Sequence, residues 1–462
     1  MKFVDRKREI ERLNKAITSN ESQLIVVYGR RRIGKSTLIR KVLSPGKDIY
    51  FQADETQVTN QLHLLAKTIA TVVPGFDHAT YPDWSSLLEA LNYRVAENTT
   101  LCLDEFPYLV KSFNALPSVI QQFWDTAAPR FNLILCGSSQ QSMYSDVLNE
   151  KSPLYGRANC IIKLQPIALP YLQEAIPGLS ATEAITYYSF WGGVPRYWKL
   201  CDDEGSLENA LRHMLLVPDG TLTDEPNRLL RDELRDLVLS RTLLSAIGSG
   251  VNRLSEIAGR LGKNASELTA PLRRLIDMGF IERELPFGED AKNSKRSIYH
   301  IKDEFMDAYY RFISPNASLI GLGREDAVWN IISSGLNTYV GNHWERLCRQ
   351  AVSGRTIEGV TYGPAARWWG NVYDKANKTG RQIEIDVVAM SLDKKHLLVG
   401  ECKWTSAENA ARLIHELSAK SSLLPFAKEV EQIHIALFLR EKPQETATGN
   451  LIFMPEDIIA ML

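Results

Sequence analysis

The sequence predicts an α/β protein: a parallel sheet covered by helices, then a helical segment with a winged helix, then a second, mixed α/β unit. Three observations carry that expectation. Apolar runs of strand length alternate with helix-length segments through about residue 165, the pattern that buries a parallel sheet on both faces. A helix–turn–helix pattern followed by two short strands lies between residues 251 and 302. After residue 380, acidic and basic residues alternate with apolar ones at strand spacing.

Taken in order, Val4, Ile10, Leu13 and Ile17 fall at helical spacing. Five buried strands follow in "QLIVVY", "DIYFQA", "TTLCLDEF", "FNLILCGSS" and "NCIIKLQPI", separated by helices. Residues 166–230 read as helical. In "RLSEIAGRLGKNASELTAPLRRLIDMGFI" a helix, a Gly-Lys turn and a second helix with an Asn-Ala-Ser cap precede "IERELPF" and "SIYHIKD". The expected division is 1–165, 166–230, 231–315 and 320–462, consistent with the roughly three domains that 462 residues imply.

Composition narrows the class. With 44% hydrophobic residues, 24% charged residues and a net charge of −1, the chain has no global electrostatic claim on nucleic acid, which must rest on local patches. Its six cysteines lack CxxC spacing and mostly sit in apolar runs, so reduced core residues are expected rather than a disulfide frame or zinc site. "MKFVDRKREIERL" has no signal-peptide core, and no apolar run approaches the ~20 residues of a membrane span. A soluble, cytoplasmic protein is the expectation.

"GRRRIGKS" places Gly29, Gly34, Lys35 and Ser36, followed by Thr37, between a strand and a helix. Glycines let the backbone N–H groups curl toward phosphate oxygens, and the helix N-terminus adds partial positive charge. Lys35 would reach the β- and γ-phosphates of ATP and Ser36 would ligate Mg²⁺. "TTLCLDEF" supplies Asp104 for the magnesium shell and Glu105 to polarise the attacking water.

Together with "FVDRKREIERL", "LILCGSS" and "SPLYGR", these motifs resemble the archaeal-type ATPases of the AAA+ and STAND group over about residues 1–310. The resemblance implies a P-loop NTPase fold with an AAA-type parallel sheet, a helical lid and a winged helix. It implies Ser138 or Ser139 as sensor, Arg157 as a finger acting on a neighbouring copy's nucleotide, and Val4 and Asp5 beside the adenine. A serine stands where asparagine is commoner, and Arg196 is the lid candidate for a second sensor. An ordinary ion pair is the other role for Arg157.

Residues 251–302 hold ten Lys or Arg against seven Asp or Glu. Lys263, Asn264, Ser266 and Arg273 fall on the second helix, while Lys292, Lys295 and Arg296 crowd the wing. Such positions suit phosphate contacts with DNA, although a winged helix can equally serve as a packing module.

In "IEIDVV" Glu384 and Asp386 share one strand face, and in "LLVGECKW" Glu401 and Lys403 share another while Cys402 and Trp404 point away. A hairpin across the 15 residues from Asp386 to Glu401 would join both carboxylates at one end of a sheet. With the Cys402 carbonyl they would form a hard oxygen site for Mg²⁺, and Lys403 would act on water or phosphate. The pattern resembles the PD-(D/E)XK nuclease fold, and the whole C-terminal unit resembles the module of unknown function that accompanies archaeal-type ATPases. That resemblance implies Glu345 as the helix glutamate, with Ile385 where a proline is usual. Trp368 and Trp369 are expected to pack, and His343 and His396 to be structural or surface residues.

The expected function is ATP binding and hydrolysis coupled to action on DNA, with a metal-dependent nuclease domain. The alternative is a nucleotide switch whose C-terminal domain binds a partner without cutting.

Overall fold

The computed structural model describes residues 1–462 apart from 235, 291, 293, 295, 375–378, 407 and 444–450. The expected Lys295 therefore lies outside the described residues. The first five strands are β1 (Leu24–Tyr28), β2 (Ile49–Gln52), β3 (Thr99–Asp104), β4 (Phe131–Gly137) and β5 (Cys160–Lys163). They form one sheet in the order β2-β3-β4-β1-β5, every pair parallel. Each residue of β3 and β4 is buried, because alternate side chains enter different cores. Leu101, Leu103, Leu133 and Leu135 face one, while Cys102, Ile134 and Cys136 face the other. Central β1 hands the chain to the helix Lys35–Val42 at the carboxyl edge of the sheet, where open α/β sheets bind ligands.

Five helices follow between Pro170 and Glu233, among them Ala181–Trp191 with its Ser180/Glu183 capping box. The helices Leu237–Gly248, Leu254–Leu261 and Ala265–Asp277 then lead into the antiparallel pair β6 (Ile281–Glu284) and β7 (Ile298–Ile301). Gly262, at φ 62, ends the second helix, and an Asn264/Glu267 capping box starts the third. This is the winged helix that the spacing predicts.

A 28-residue helix, Glu325–Val352, opens the C-terminal unit. The short ribbon β8 (Thr356–Ile357) and β9 (Val360–Thr361) follows it. Next come β10 (Ala366–Asp374), β11 (Thr379–Met390), β12 (His396–Lys403), β13 (Gln432–Leu439) and β14 (Leu451–Phe453). These five form a mixed sheet in sequence order, antiparallel up to β12 and parallel beyond it. Trp344, Leu347 and Cys348 of the long helix cover one face with Val387, Ala389 and Cys402. Leu413 and Leu417 of the helix Ala410–Ser421 cover the other with Ile385, Val388 and Val399. Trp368 and Trp369 are both buried, as expected of packing residues.

The core under the long helix is continuous with that of the winged helix and the helices before it. The wing is fastened to the C-terminal sheet as well. The Phe287 N–H donates to the Arg367 carbonyl at 2.8 Å, and Arg296 donates to the Trp369 carbonyl at 2.9 Å. Phe287 also meets Phe426 edge-on.

Fully buried Trp344 fills the junction between the long helix and β13, donating its indole N–H to the Phe438 carbonyl at 3.1 Å. Trp344→Ala is expected to cost about 3–5 kcal/mol, read by chemical denaturation. A loss below about 1 kcal/mol would mean that the helix does not depend on this contact.

Candidate functional site

The phosphate loop closes tightly on β5. Gly29 has φ 154, and a Cβ there would lie 2.7 Å from the Leu164 carbonyl oxygen, so only glycine fits. Lys35 folds back onto the loop, donating to the Gly29 and Arg30 carbonyls at 2.9 and 3.1 Å. Ser36 donates to Asp104 at 2.7 Å, joining the loop to the end of β3. The Tyr50 hydroxyl also donates to Asp104, and the Glu105 N–H reaches its other oxygen at 2.9 Å.

Burial works to raise the Asp104 pKa, but hydrogen bonds from Cys136, Tyr50 and Ser36 outweigh it and hold the carboxyl below its usual value. An ionised carboxylate touching a hydroxyl is a hard oxygen pair of the kind Mg²⁺ takes, so Ser36 and Asp104 fit the expected metal. Glu105 sits in the left-handed region at φ 55, a conformation costly for a non-glycine residue. That backbone aims its carboxylate at Ser138, whose hydroxyl donates at 2.7 Å. Ser139 instead caps the helix Gln140–Met143. Of the two serines, Ser138 meets Glu105.

An apolar pocket of about 180 Å³ adjoins the loop, lined by Phe3, Val4, Ile33, Thr37, Pro195 and Trp198 among others. Asp5 borders Val4 in sequence but is not part of that lining. Arg196 is exposed on the lid helix Pro195–Glu204. Arg157 makes a bidentate pair with Asp125 at 2.9 and 2.7 Å and also donates to the Pro153 carbonyl. Sequence reading missed Tyr50, whose neighbour in the sheet lies some fifty residues away in β3. It also missed Glu233, which accepts the Gln140 and Gln141 N–H groups at 2.9 and 3.1 Å, one and two residues after Ser139.

On the C-terminal sheet, the β11–β12 ladder runs from Met390 opposite Leu397 to Val387 opposite Gly400. Asp386 and Glu401 are next in register, where the ladder stops. Trp368 pairs with Ile385 but Ala366 pairs with Val388, so Arg367 opposes both Asp386 and Val387. This is a β-bulge, a device that re-aims side chains at sites. Asp386 accepts the Cys402 N–H at 2.8 Å. Glu401 is gripped by Lys403 at 2.7 Å and by Lys420 at 3.1 Å. Glu384 pairs with Arg367, while Glu345 lies 3.6 Å from Arg349, which donates to the Asp386 carbonyl at 2.9 Å. Lys420, Arg349 and Arg367 were absent from the expected set, since none stands at a diagnostic spacing. His343 is buried against Asp307, and His396 lies against His434.

Asp386 and Glu401 thus stand where the β11–β12 ladder ends, close enough for Glu401 to act on Asp386, and protein donors occupy both. Among the described residues no group of three or more His, Cys, Asp or Glu side chains is arranged to hold a metal ion. Burial and then the nearby Glu401 push the Asp386 pKa up, and burial and then Asp386 push that of Glu345 up. Glu401 is lowered instead, because its two lysines outweigh burial.

A carboxyl whose pKa is raised by folding binds its proton more tightly in the native state. It therefore costs stability as pH climbs through the interval between the unfolded and folded values. Asp386→Asn can still accept the Cys402 N–H and is expected to stabilise the protein by about 1 kcal/mol at about pH 8, with little effect near pH 4. Thermal melts at both pH values check this, and equal destabilisation at both would count against the raised Asp386.

No helix is long and apolar enough to cross a membrane among the described residues. The model of an ATPase domain found predominantly in Archaea matches residues 3–200. A model of archaeal and bacterial proteins of unknown function matches residues 309–414. An uncharacterized protein of Methanocaldococcus jannaschii is 31% identical over 439 residues, covering 91% of this chain and 92% of its own. An uncharacterized ATP-binding protein of the same organism is 49% identical over 45 residues, 10% of this chain and 76% of its own. The Walker-type ATPase of Pyrococcus abyssi superposes with a TM-score of 0.52 at 21% identity, covering 67% of this chain and 96% of that one. That likeness confirms the P-loop ATPase fold. The chain belongs to the family of the full-length Methanocaldococcus relative, and its first 200 residues are the archaeal-type ATPase domain of that family.

Proposed function

We propose that this protein is a Mg²⁺-dependent ATPase that couples hydrolysis to action on DNA. The observation that carries the reading is the paired contact at the ends of β3 and β4, Ser36 with Asp104 and Ser138 with Glu105. Lys35 would leave the loop carbonyls for the β- and γ-phosphates, Ser36 and Asp104 would hold the metal, which supplies charge to the phosphates, and Glu105 would orient water. The apolar pocket at Val4 and Thr37 takes the adenine. The bidentate pair with Asp125 supports a structural role for Arg157 over a finger reaching into a neighbouring copy. DNA contact rests on the solvent-exposed Lys263, Asn264, Ser266 and Arg273 of the winged helix. Glu105→Gln is expected to retain ATP binding while turnover falls by about two orders of magnitude or more. Unchanged turnover, measured beside a Lys35→Ala control, would remove Glu105 from the chemistry.

In the C-terminal unit, the convergence of Glu345, Asp386, Glu401 and Lys403 at a bulge supports metal-dependent cleavage of nucleic acid. The grip of Lys403 and Lys420 on Glu401 favours the second reading, a non-cutting scaffold in a nucleotide-controlled switch. One experiment separates them. A cleaving site predicts that Mg²⁺ or Mn²⁺ raises the melting temperature, that Asp386→Asn abolishes the rise, and that plasmid DNA is nicked. Lys403→Ala should then keep the metal response and lose cleavage. Neither a metal shift nor cleavage of DNA or RNA in the wild type leaves the scaffold.

A further inference from the structure

The phosphate loop is ion-paired to two elements far away in sequence. Arg30 pairs with Asp303, just after β7, and Arg32 pairs with Glu225 of the lid at 3.0 Å. Both acceptors are buried. Arg30 is also the residue whose carbonyl receives Lys35 at 3.1 Å. The group that must move when phosphates arrive is therefore bonded to the residue that anchors β7.

At its other end the wing closes on the carboxylate cluster. The β7 residue His300 bonds Glu284 of β6 at 2.5 Å, and Glu284 lies 3.6 Å from Arg349. Arg349 in turn bonds the Asp386 carbonyl and neighbours Glu345. Arg346, three residues earlier on the long helix, donates to the Ile301 carbonyl at 3.0 Å. The wing loop supplies the Phe287 and Arg296 bonds to β10. One short ribbon thus touches the nucleotide loop at Asp303 and the carboxylate cluster at Glu284.

We propose that the wing is a latch over the carboxylate cluster, held shut by the Arg30–Asp303 pair and released when ATP phosphates draw Lys35 and Arg30 out of their present bonds. The proposal rests on the reading of both sites given above. ATP meets the requirement that a ligand favouring one state must interact differently with the two. Its phosphates compete for the Arg30 charge, which holds Asp303, and for Lys35, which bonds the Arg30 carbonyl. Opening frees Arg349 from Glu284 and the Arg367 and Trp369 carbonyls of β10 from the wing loop, and exposes the bulge at Asp386 to a phosphodiester.

The Phe287 amide reports the latch directly, because its hydrogen bond to the Arg367 carbonyl exists only when the wing is docked. Hydrogen exchange is followed on the full chain, with nucleotide binding titrated in the same samples. A non-hydrolysable ATP analogue with Mg²⁺ is expected to speed exchange at Phe287 by about tenfold or more. Asp303→Asn should do the same without nucleotide. Asparagine keeps the cap that Asp303 gives the Met306 N–H and removes only the charge, so folding is spared. Arg296→Ala supplies a second route to an undocked wing and sets the exchange rate of the open state. Full protection of Phe287 with saturating analogue overturns nucleotide control, and full protection in Asp303→Asn overturns the ion pair as the catch. A failed phosphate-site reading registers separately as absent binding. A failed carboxylate reading registers only in the metal-shift and cleavage assays.

Discussion

A charge withdrawn from water must be partnered, and the seam between the winged helix and the long helix is built around that constraint. His343, Arg346 and Asp307 meet there, with His343 3.0 Å from Asp307 and Arg346 bridging both. Burial, and then the Arg346 charge, push the His343 pKa down to about 4, so the imidazole is neutral and the pair left to balance is Arg346 with Asp307. Glu284 is held down at about 2 despite burial, by His300 first and then Arg349. Its ionised form strengthens the fold above the ordinary carboxylate range, and that contribution is lost only as pH falls toward about 2. Removing one member of such a network strands the others, so the long helix, β6 and β7 share one placement while the wing is docked.

That placement explains why the winged helix looks two ways. Its helix Ala265–Asp277 turns Ser266 and Arg273 to solvent, as the turn before it does Lys263. Its wing turns inward, with Arg296 spent on Glu289 and the Trp369 carbonyl. The two alternatives drawn from sequence, nucleic-acid reader and packing module, describe different faces of one element. A basic wing residue counted toward a phosphate surface is in this fold a clamp on the neighbouring sheet.

Much of this was legible in the sequence because the signals were local. "LIVVY" followed by a glycine loop and a helix fixes the phosphate site without reference to any other part of the chain. Period-2 alternation placed Glu401 with Lys403 and sent Cys402 and Trp404 to the opposite face, which in the fold packs under the long helix. What stayed hidden needs contacts between distant segments. Tyr50 reaches Asp104 only through strand pairing, and Lys420 reaches Glu401 from a helix after the motif has ended. The bulge at Asp386 has no sequence mark, because "IEIDVV" reads as an uninterrupted strand. Only the register against β10 exposes the extra residue.

The bulge also bears on what the carboxylate cluster can do. In a regular ladder Asp386 would continue the pairing that ends at Val387 and Gly400, with its carboxylate fixed beside β12. The extra residue lets β11 follow β10 instead, and the Asp386 carboxylate drops into the opening fork to cap the Cys402 N–H. Glu401, on the other strand of the fork, is neutralised by two lysines, whereas burial first and a neighbouring carboxylate second make Asp386 and Glu345 hold their protons more tightly. The cluster is therefore electrically uneven: Glu401 is held ionised by its lysines, while Asp386 and Glu345 are pushed toward their neutral forms. A divalent ion or a basic partner surface would favour the ionised forms of Asp386 and Glu345, and so would bind them more tightly as pH rises.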